Sequence, residues 1–216
     1  MKYNHLIWDW NGTLVDDAWL CVDIMNKILT KHRLPLICLD SYRKHFVFPV
    51  RDYYLHLGFD FTKKPFEVCG LDFINSFKKR KFEASLFHDA TDALKVFKKK
   101  HVQLSVLSAN HQKILEETIN YFHLSSFFGH VVGLNHYYAN SKVSAGKALL
   151  KKIKTDKKLI LLVGDTVHDF EVAKALNIDC ALIARGHNSL SRLKKTGAPV
   201  LSGLTELLDY SGCTVN

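Results

Sequence analysis

Four short polar segments carry side chains that could together form a catalytic site. Asp9 lies in the stretch WDWNGTL at residues 8–14, directly after an apolar run. Ser108 closes a second apolar run, and Lys142 lies where a helical pattern begins. Residues 164–169, with the sequence GDTVHD, supply two further acids. A carboxylate nucleophile, a hydroxyl, a lysine and an acid pair are the groups that the transfer of a negatively charged group would use.

Each segment taken singly also has a purely structural interpretation. An aspartate that ends a strand, such as Asp165, is commonly a turn residue or a helix N-cap. The Asn-Gly pair at residues 11–12 is a hairpin signal, Ser108 could cap a helix, and Lys142 could be a surface lysine. A hairpin would need a partner strand, whereas residues 16–18 begin a helix. The residue preferences of turns and helix caps do not explain why these groups occur together in this order. We therefore favour the catalytic interpretation.

Short apolar runs predict a buried parallel sheet that would place these groups along one edge. Helical patterns separate most of the runs after about residue 86, which indicates a doubly wound α/β fold with right-handed crossovers. In such sheets ligands bind at the carboxyl ends of the strands. The predicted strands are His5–Trp8, Val102–Leu107, Val131–Leu134, Leu159–Val163 and Cys180–Ile183.

The region between the first two strands breaks this alternation. Residues 16–84 contain no convincing core strand, but apolar residues recur at helical spacing within 18–29 and again within 73–77. An insertion of this length is far too long for an ordinary connection. We therefore predict a core domain of residues 1–15 and 85–216, with residues 16–84 forming a helical cap over the carboxyl edge of the sheet.

The composition, 47% apolar and 24% charged, indicates a packed globular protein. The formal charge of +9 could suggest nucleic acid, but the lysines form short groups at the ends of apolar-periodic segments and no groove-reading module is apparent. We therefore expect no nucleic-acid partner. Five widely spaced cysteines without a CxxC pair argue against a zinc site or a disulfide framework and predict a reducing compartment. Without a signal-like or membrane-spanning run, we expect a cytoplasmic protein with no membrane partner.

The motifs and their order resemble the haloacid dehalogenase (HAD) superfamily, in its phosphoglycolate phosphatase-like branch with a helical cap. The first motif of that family, DxDGT, corresponds to residues 9–13, which read DWNGT. The second motif corresponds to Ser108, and the fourth, GDxxxD, to residues 164–169. The family lysine is best matched by Lys142, with Lys147 as the weaker alternative. The resemblance covers essentially the whole chain and implies a Rossmann-like core and phosphatase activity.

The resemblance also implies catalytic roles. Asp9 would attack phosphorus and form an aspartyl-phosphate, while Lys142 would neutralise the charge of the phosphoryl group. Ser108 and the adjacent backbone N–H groups of Ala109 and Asn110 would hold the phosphate oxygens. The substrate would be a small phosphorylated metabolite, and the protein would work as a monomer or homodimer.

By the same resemblance the site would bind Mg²⁺, which prefers oxygen ligands and keeps several waters. The ligands would be the Asp9 carboxylate, the backbone carbonyl of Asn11 and Asp165, with Asp169 as a further ligand or close neighbour. Metal-free dehalogenation is disfavoured, because the acid pair of the fourth motif has no use without a cation.

The remaining candidate residues surround this centre. Gly12 would let the backbone approach the phosphate closely, and Thr13 would brace the loop. In the predicted cap, Arg51 could pair with an anionic leaving group or could equally be a surface arginine. His168 lies between the acids of the fourth motif, and we interpret it as a solvent-facing helix residue.

Asn11 departs from the family pattern, because the phosphatases carry an aspartate there that protonates the leaving oxygen and then activates water. An amide has no titratable proton, and losing a positioned acid or base typically costs about 10²–10⁴-fold in rate. The chain could be a hydrolase with weakened acid/base catalysis, acting best on leaving groups that need little protonation. It could instead resemble phosphonoacetaldehyde hydrolases, cleaving a carbon–phosphorus bond with Lys44 as a Schiff base. A third alternative is a protein that binds a phosphorylated ligand or a protein partner without turnover.

Overall fold

A computed structural model describes residues 2–135 and 142–213 of the chain. Within these residues the strands are β1 His5–Trp8, β2 Val15–Asp16, β3 Ser85–Leu86, β4 Gln103–His111, β5 His130–Leu134, β6 Ile160–Gly164, β7 Asp179–Ile183 and β8 Val200–Leu201. Six of them form one parallel sheet in the order β5-β4-β1-β6-β7-β8. The other two, β2 and β3, form a separate antiparallel pair.

The predicted doubly wound α/β fold is confirmed, and each predicted strand overlaps a strand of this sheet. Strand β1 lies between β4 and β6, with Trp8 opposite Val106 on one side and Val163 on the other. All four residues of β1 are buried, as expected for a central parallel strand covered on both faces. The short edge strand β8 was missed, because two residues give no detectable apolar period.

Helices cover both faces of the sheet and enclose two apolar clusters. On one face Leu6 and Trp8 of β1 belong to the larger cluster, while Ile7 points to the other face and belongs to the second. This alternation is the period-2 pattern of a strand. The core helices are α5 Ala90–Lys99, α6 Gln112–Tyr121, α7 Val143–Lys152, α8 Val167–Leu176, α9 Leu190–Lys194 and α10 Leu204–Tyr210.

Four helices lie between the antiparallel strands β2 and β3, within the range predicted for the cap. They are α1 Ala18–His32, α2 Leu39–His45, α3 Val50–His56 and α4 Phe66–Arg80. The residues that predicted the first helix, from Ala18 to Leu29 at helical spacing, are buried. Strands β2 and β3 pair through Val15 opposite Leu86, so both connections to the core run side by side. No helix of the described residues is long and apolar enough to cross a membrane.

Candidate active site

The loop after β1 holds Asp9 in a buried position at the carboxyl edge of the sheet. The Asp9 N–H donates to the carbonyl oxygen of Val163 at 2.8 Å, which extends the pairing of β1 with β6. Gly12 adopts a φ of 75°, which glycine tolerates, and its N–H donates to the carbonyl oxygen of Val15 at 2.8 Å. The chain then enters β2, whose partner is β3, so the Asn-Gly pair does not form a hairpin with β1.

One buried lysine bridges the first and fourth motifs. Lys142 Nζ donates to Asp9 Oδ1, to Asp169 Oδ1 at 2.6 Å and to the carbonyl oxygen of Leu107 at 3.1 Å. Burial lowers the pKa of Lys142, but the charges of Asp169 and Asp9 outweigh burial and raise it above its ordinary value. Lys147 is exposed on α7 and does not line the site. Of the two predicted lysines, the fold therefore brings Lys142 to the carboxylates.

The first turn of α8 orients the acids of the fourth motif. Thr166 and Asp169 form a capping box, in which Asp169 Oδ2 accepts from the Thr166 N–H at 2.9 Å. The other oxygen of Asp169 is thereby directed to the lysine. Asp165 is fully buried and accepts from Thr13 Oγ1 at 3.0 Å and from the His187 N–H at 2.5 Å. Thr13 thus fixes the first motif to the fourth.

Asp9, Asp165 and Asp169 form a cluster of buried carboxylates that fits a cation. One oxygen from each lies within 4.8 Å of the others. Burial and the charges of the neighbouring acids raise the pKa of Asp9 to about 8, against the opposing charge of Lys142. Burial likewise raises the pKa of Asp165 to about 6. Because Lys142 contacts only two of the three carboxylates, a hard cation with oxygen ligands would stabilise their ionised forms.

The predicted phosphate-holding segment follows the buried part of β4. Ser108, Ala109 and Asn110 line the same cavity as Asp9 and Lys142. Ser108 is buried, and its Oγ accepts from the Asn110 N–H at 3.1 Å. The segment therefore presents the Ser108 hydroxyl beside the carboxylate cluster, whereas the Asn110 N–H predicted to hold phosphate is bonded within the segment.

Asn11 is held by a residue that sequence reasoning did not assign to the site. Its Nδ2 donates to Asp17 Oδ2 at 2.6 Å, and its Oδ1 accepts from Asn110 Nδ2 at 3.3 Å. Asp17 occupies the N-cap position of α1, but its carboxylate accepts from the Gly12 N–H at 3.0 Å instead of capping the helix. In the sequence, Asp17 indicates only the start of a helix.

His187 is a second residue that the sequence motifs did not reveal. Its Nε2 lies 3.2 Å from Asp17 Oδ1, and its Nδ1 lies 2.8 Å from the Tyr42 hydroxyl. Burial lowers the pKa of His187, but the charges of Asp17, Asp165 and Asp9 raise it to about 9. Both ring nitrogens of His187 are thus engaged with side chains from residues 16–84, Asp17 before the first helix and Tyr42 on α2.

Backbone contacts also fix the cap to the loop that carries His187. Arg43 of α2 donates through Nε to the carbonyl oxygen of Gly186 at 2.8 Å and through Nη2 to that of Arg185 at 2.7 Å. Asn188 Nδ2 donates to the carbonyl oxygen of Phe46 at 3.1 Å. The cap therefore lies closed over the carboxyl edge of the sheet.

The interpretation of His168 as a solvent-facing residue is wrong. His168 is 8% exposed, lines the cavity and stacks on Phe48 of the cap with ring centroids 4.7 Å apart. Its Nε2 accepts from the Lys142 N–H at 3.4 Å. The physical reason is that the cap covers this end of α8, which the helical pattern alone could not reveal.

The two cap residues singled out in the sequence lie away from the site. Arg51 is exposed, with its guanidinium 5.1 Å above the Phe61 ring, and it does not line the cavity. Lys44 is also exposed and does not line the cavity. The pairing of Arg51 with a leaving group and the Schiff-base role of Lys44 therefore find no support in the geometry.

Comparisons with known proteins agree with this architecture. A family profile of haloacid dehalogenase-like hydrolases matches residues 6–183. A comparison with curated proteins gave no match.

Among solved structures, the fold is similar to a predicted phosphatase from Clostridium acetobutylicum (TM-score 0.81, 20% identity, 97% of this chain and 98% of that chain). It is also similar to a haloacid dehalogenase-like protein from Streptococcus pneumoniae (TM-score 0.83, 17% identity, 97% and 98%). A predicted phosphoglycolate phosphatase from Haemophilus somnus 129PT is a third similar structure (TM-score 0.79, 16% identity, 98% and 99%). Because the family match extends from β1 to the end of β7, the chain belongs to the haloacid dehalogenase-like hydrolase family.

Proposed function

We propose that the protein is a Mg²⁺-dependent phosphatase that transfers a phosphoryl group from a small phosphorylated metabolite to Asp9 and then to water. One arrangement carries this proposal: the buried Lys142 ammonium group contacts both Asp9 and Asp169, with Asp165 in the same carboxylate cluster. A nucleophilic carboxylate, a set of cation ligands and a fixed positive charge are the groups that phosphoryl transfer uses. The family membership and the fold of the similar phosphatases support the same class.

Asp9 carries the covalent chemistry in this proposal. One of its carboxylate oxygens attacks phosphorus, the bond from phosphorus to the leaving oxygen breaks, and that oxygen departs with the electron pair. Water then attacks phosphorus, the bond to Asp9 breaks, and inorganic phosphate is released while the carboxylate is restored. Two displacements replace one difficult step. Lys142, Ser108 and nearby backbone N–H groups hold the charged phosphate oxygens throughout.

The carboxylate cluster would hold the cation. Asp9, Asp165 and the backbone carbonyl of Asn11 would be its ligands, and Asp169 would be a further ligand or neighbour that also fixes Lys142. The all-oxygen donor set suits Mg²⁺, the cation that the resemblance to the family implies. When bound, it would neutralise phosphate charge and orient the phosphoryl group.

Asn11 is the one observation that favours a second function, phospho-ligand binding without turnover. Its amide cannot deliver a proton to a leaving oxygen, and both of its polar atoms are engaged with Asp17 and Asn110. Weakened acid/base catalysis still permits hydrolysis when the leaving group departs readily. A carbon–phosphorus hydrolase has less support, because no lysine from residues 16–84 lines the cavity.

Release of inorganic phosphate from an aryl phosphate tests the proposed function. We expect turnover with Mg²⁺ that stops when the cation is chelated and returns when Mg²⁺ is restored. Saturable binding of phosphorylated metabolites with no release of phosphate from any of them would favour the binding function instead.

Replacing Lys142 with methionine should lower kcat/KM for an aryl phosphate by about 10²–10³-fold, because a preorganised positive charge beside the reacting phosphoryl group is lost. Lys147→Met is the matched control, since Lys147 is exposed on the same helix. The control should retain activity to within about twofold. Equal losses in the two variants, with both proteins folded by circular dichroism, would contradict the role assigned to Lys142.

A further inference from the structure

The cavity that begins at the carboxylate cluster continues into the cap and is apolar there. It has a volume of about 200 Å³. One face of α4 forms its cap wall, with residues that recur at helical spacing. These residues are Phe66, Gly70, Phe73, Ile74 and Phe77. Opposite them lie Met25 of α1 and the aromatic side chains of α3. The wall is therefore apolar and largely aromatic, which suits an apolar or aromatic group.

The charged side chains of this cavity are confined to the end where phosphate would bind. All of residues 16–84 are described, and none of their lysines or arginines lines it. Beyond Lys142, which is already bonded to two carboxylates, the described lining offers no lysine or arginine to a second anionic group. Apart from the histidines of the lining, a carboxylate on the leaving group would meet no permanently charged cation of its own, which makes its burial unfavourable. The leaving group that fits this cavity is uncharged.

Asn11 restricts the leaving group independently. Because the amide cannot protonate the departing oxygen, a product that is stable as an anion leaves most readily. A phenol has a pKa of about 10, whereas that of water, close to simple alcohols, is about 15.7. A phenolate is therefore far easier to expel without an acid than an alkoxide. The missing acid and the aromatic wall both favour a compound whose leaving group is a phenolate.

Tyr53 adds a further aromatic ring to the cavity wall. Tyr53 is 1% exposed and lines the cavity, and its Oη has no hydrogen-bond partner among the described residues. The Tyr53 hydroxyl is not accessible from the cavity, so the residue contributes its aromatic ring to the lining.

We propose that the substrate is an aryl phosphate monoester whose aromatic ring occupies this cavity against α4. The proposal rests on the proposed phosphatase function and specifies its substrate class. Asp9 displaces the phenolate oxygen from phosphorus, the phosphorus–oxygen bond breaks, and the phenolate leaves with the electron pair and takes a proton from water. Phosphate esters of aliphatic alcohols, whose leaving group is an alkoxide, are poor substrates, and a carboxylate elsewhere on the alcohol makes them poorer.

Values of kcat/KM with Mg²⁺ for three compounds test the substrate class. Phenyl phosphate supplies a ring, phosphoglycolate supplies a charged aliphatic leaving group, and acetyl phosphate is small and leaves readily without protonation. We expect phenyl phosphate to exceed phosphoglycolate by about 10²-fold or more, the cost of a leaving group that needs an acid. Phosphoglycolate turnover equal to or above that of phenyl phosphate would overturn the proposal.

Two variants of α4 test the cavity itself. Phe73→Ala removes the ring from the wall, and Gly70→Leu fills the space beside it while favouring the helix. Each should lower the ratio of kcat/KM for phenyl phosphate to that for acetyl phosphate by about tenfold or more, as expected for lost fit in an apolar pocket. Leu71→Ala is the matched control, because Leu71 is 45% exposed on the same helix and does not line the cavity; its ratio should not change.

The outcomes separate this proposal from the function on which it rests. An unchanged ratio in both variants, with Asp9-dependent release of phosphate retained, overturns the aryl assignment and leaves the phosphatase function standing. No release from any compound, acetyl phosphate included, overturns the phosphatase function and the aryl assignment together.

Discussion

Replacing Asp9 with asparagine should reduce the release of phosphate from an aryl phosphate by about 10⁴-fold or more, the scale seen when an enzyme loses its nucleophile. Asparagine keeps the size and polarity of the side chain, so the loop after β1 can retain its backbone hydrogen bonds. The amide cannot form the aspartyl-phosphate, however, and it removes one carboxylate from the predicted cation site. The measurement is kcat/KM with Mg²⁺ for the purified variant.

Asp209→Asn is the matched control for this substitution. Asp209 is exposed on α10 and does not line the cavity, so the same chemical change there should leave kcat/KM unchanged to within about twofold. A loss of less than tenfold in the Asp9 variant would refute the assignment of Asp9 as the nucleophile.

Replacing Asn11 with aspartate should raise turnover of an alkyl phosphate by about 10²–10⁴-fold, because a positioned acid and base would be restored. In the native protein Asn11 donates to Asp17 at 2.6 Å. An aspartate would place a second carboxylate there, and adjacent carboxylates share a proton because both cannot ionise easily. A carboxyl group that retains its proton near neutral pH is suited to protonate a leaving oxygen. Phenyl phosphate, whose leaving group needs no acid, should gain much less.

The control for this substitution is Asn75→Asp, because Asn75 is exposed on α4. An unchanged or lower rate on the alkyl phosphate, with the phenyl phosphate rate retained, would contradict the account of Asn11. Asn-Gly pairs can deamidate, so mass spectrometry must show that residue 11 is still asparagine in every native preparation.

The fold was predictable because each strand or helix shows a recognisable apolar pattern within its own short stretch of sequence. Central strands such as β1 are continuous apolar runs, and α1 repeats apolar residues at helical spacing, so each element can be recognised without its neighbours. Strand β8 could not be recognised, since Val200–Leu201 is too short to show a period. The position of the cap followed from the length of the insertion rather than from any residue within it.

The candidate site was predictable only where a motif marks it. Asp9, Lys142 and Asp169 follow or precede predicted elements, and the order of the elements brings them to one edge. Asp17 and His187 carry no comparable signal, because 170 residues separate the two groups that lie 3.2 Å apart in the fold. His168 was misassigned for the same reason, since its burial depends on Phe48 from the cap.

The most direct test of the account is the identity of the group that becomes phosphorylated. Protein mixed with Mg²⁺ and phenyl phosphate, quenched in acid within the first turnover and digested, can be analysed by mass spectrometry for an acid-stable phosphoryl adduct. The account predicts a phosphoryl group on Asp9 that is absent from the Asp9→Asn variant. A phosphoryl group on another residue, or phosphate released with no adduct at any quench time while Asp9→Asn remains active, would contradict it.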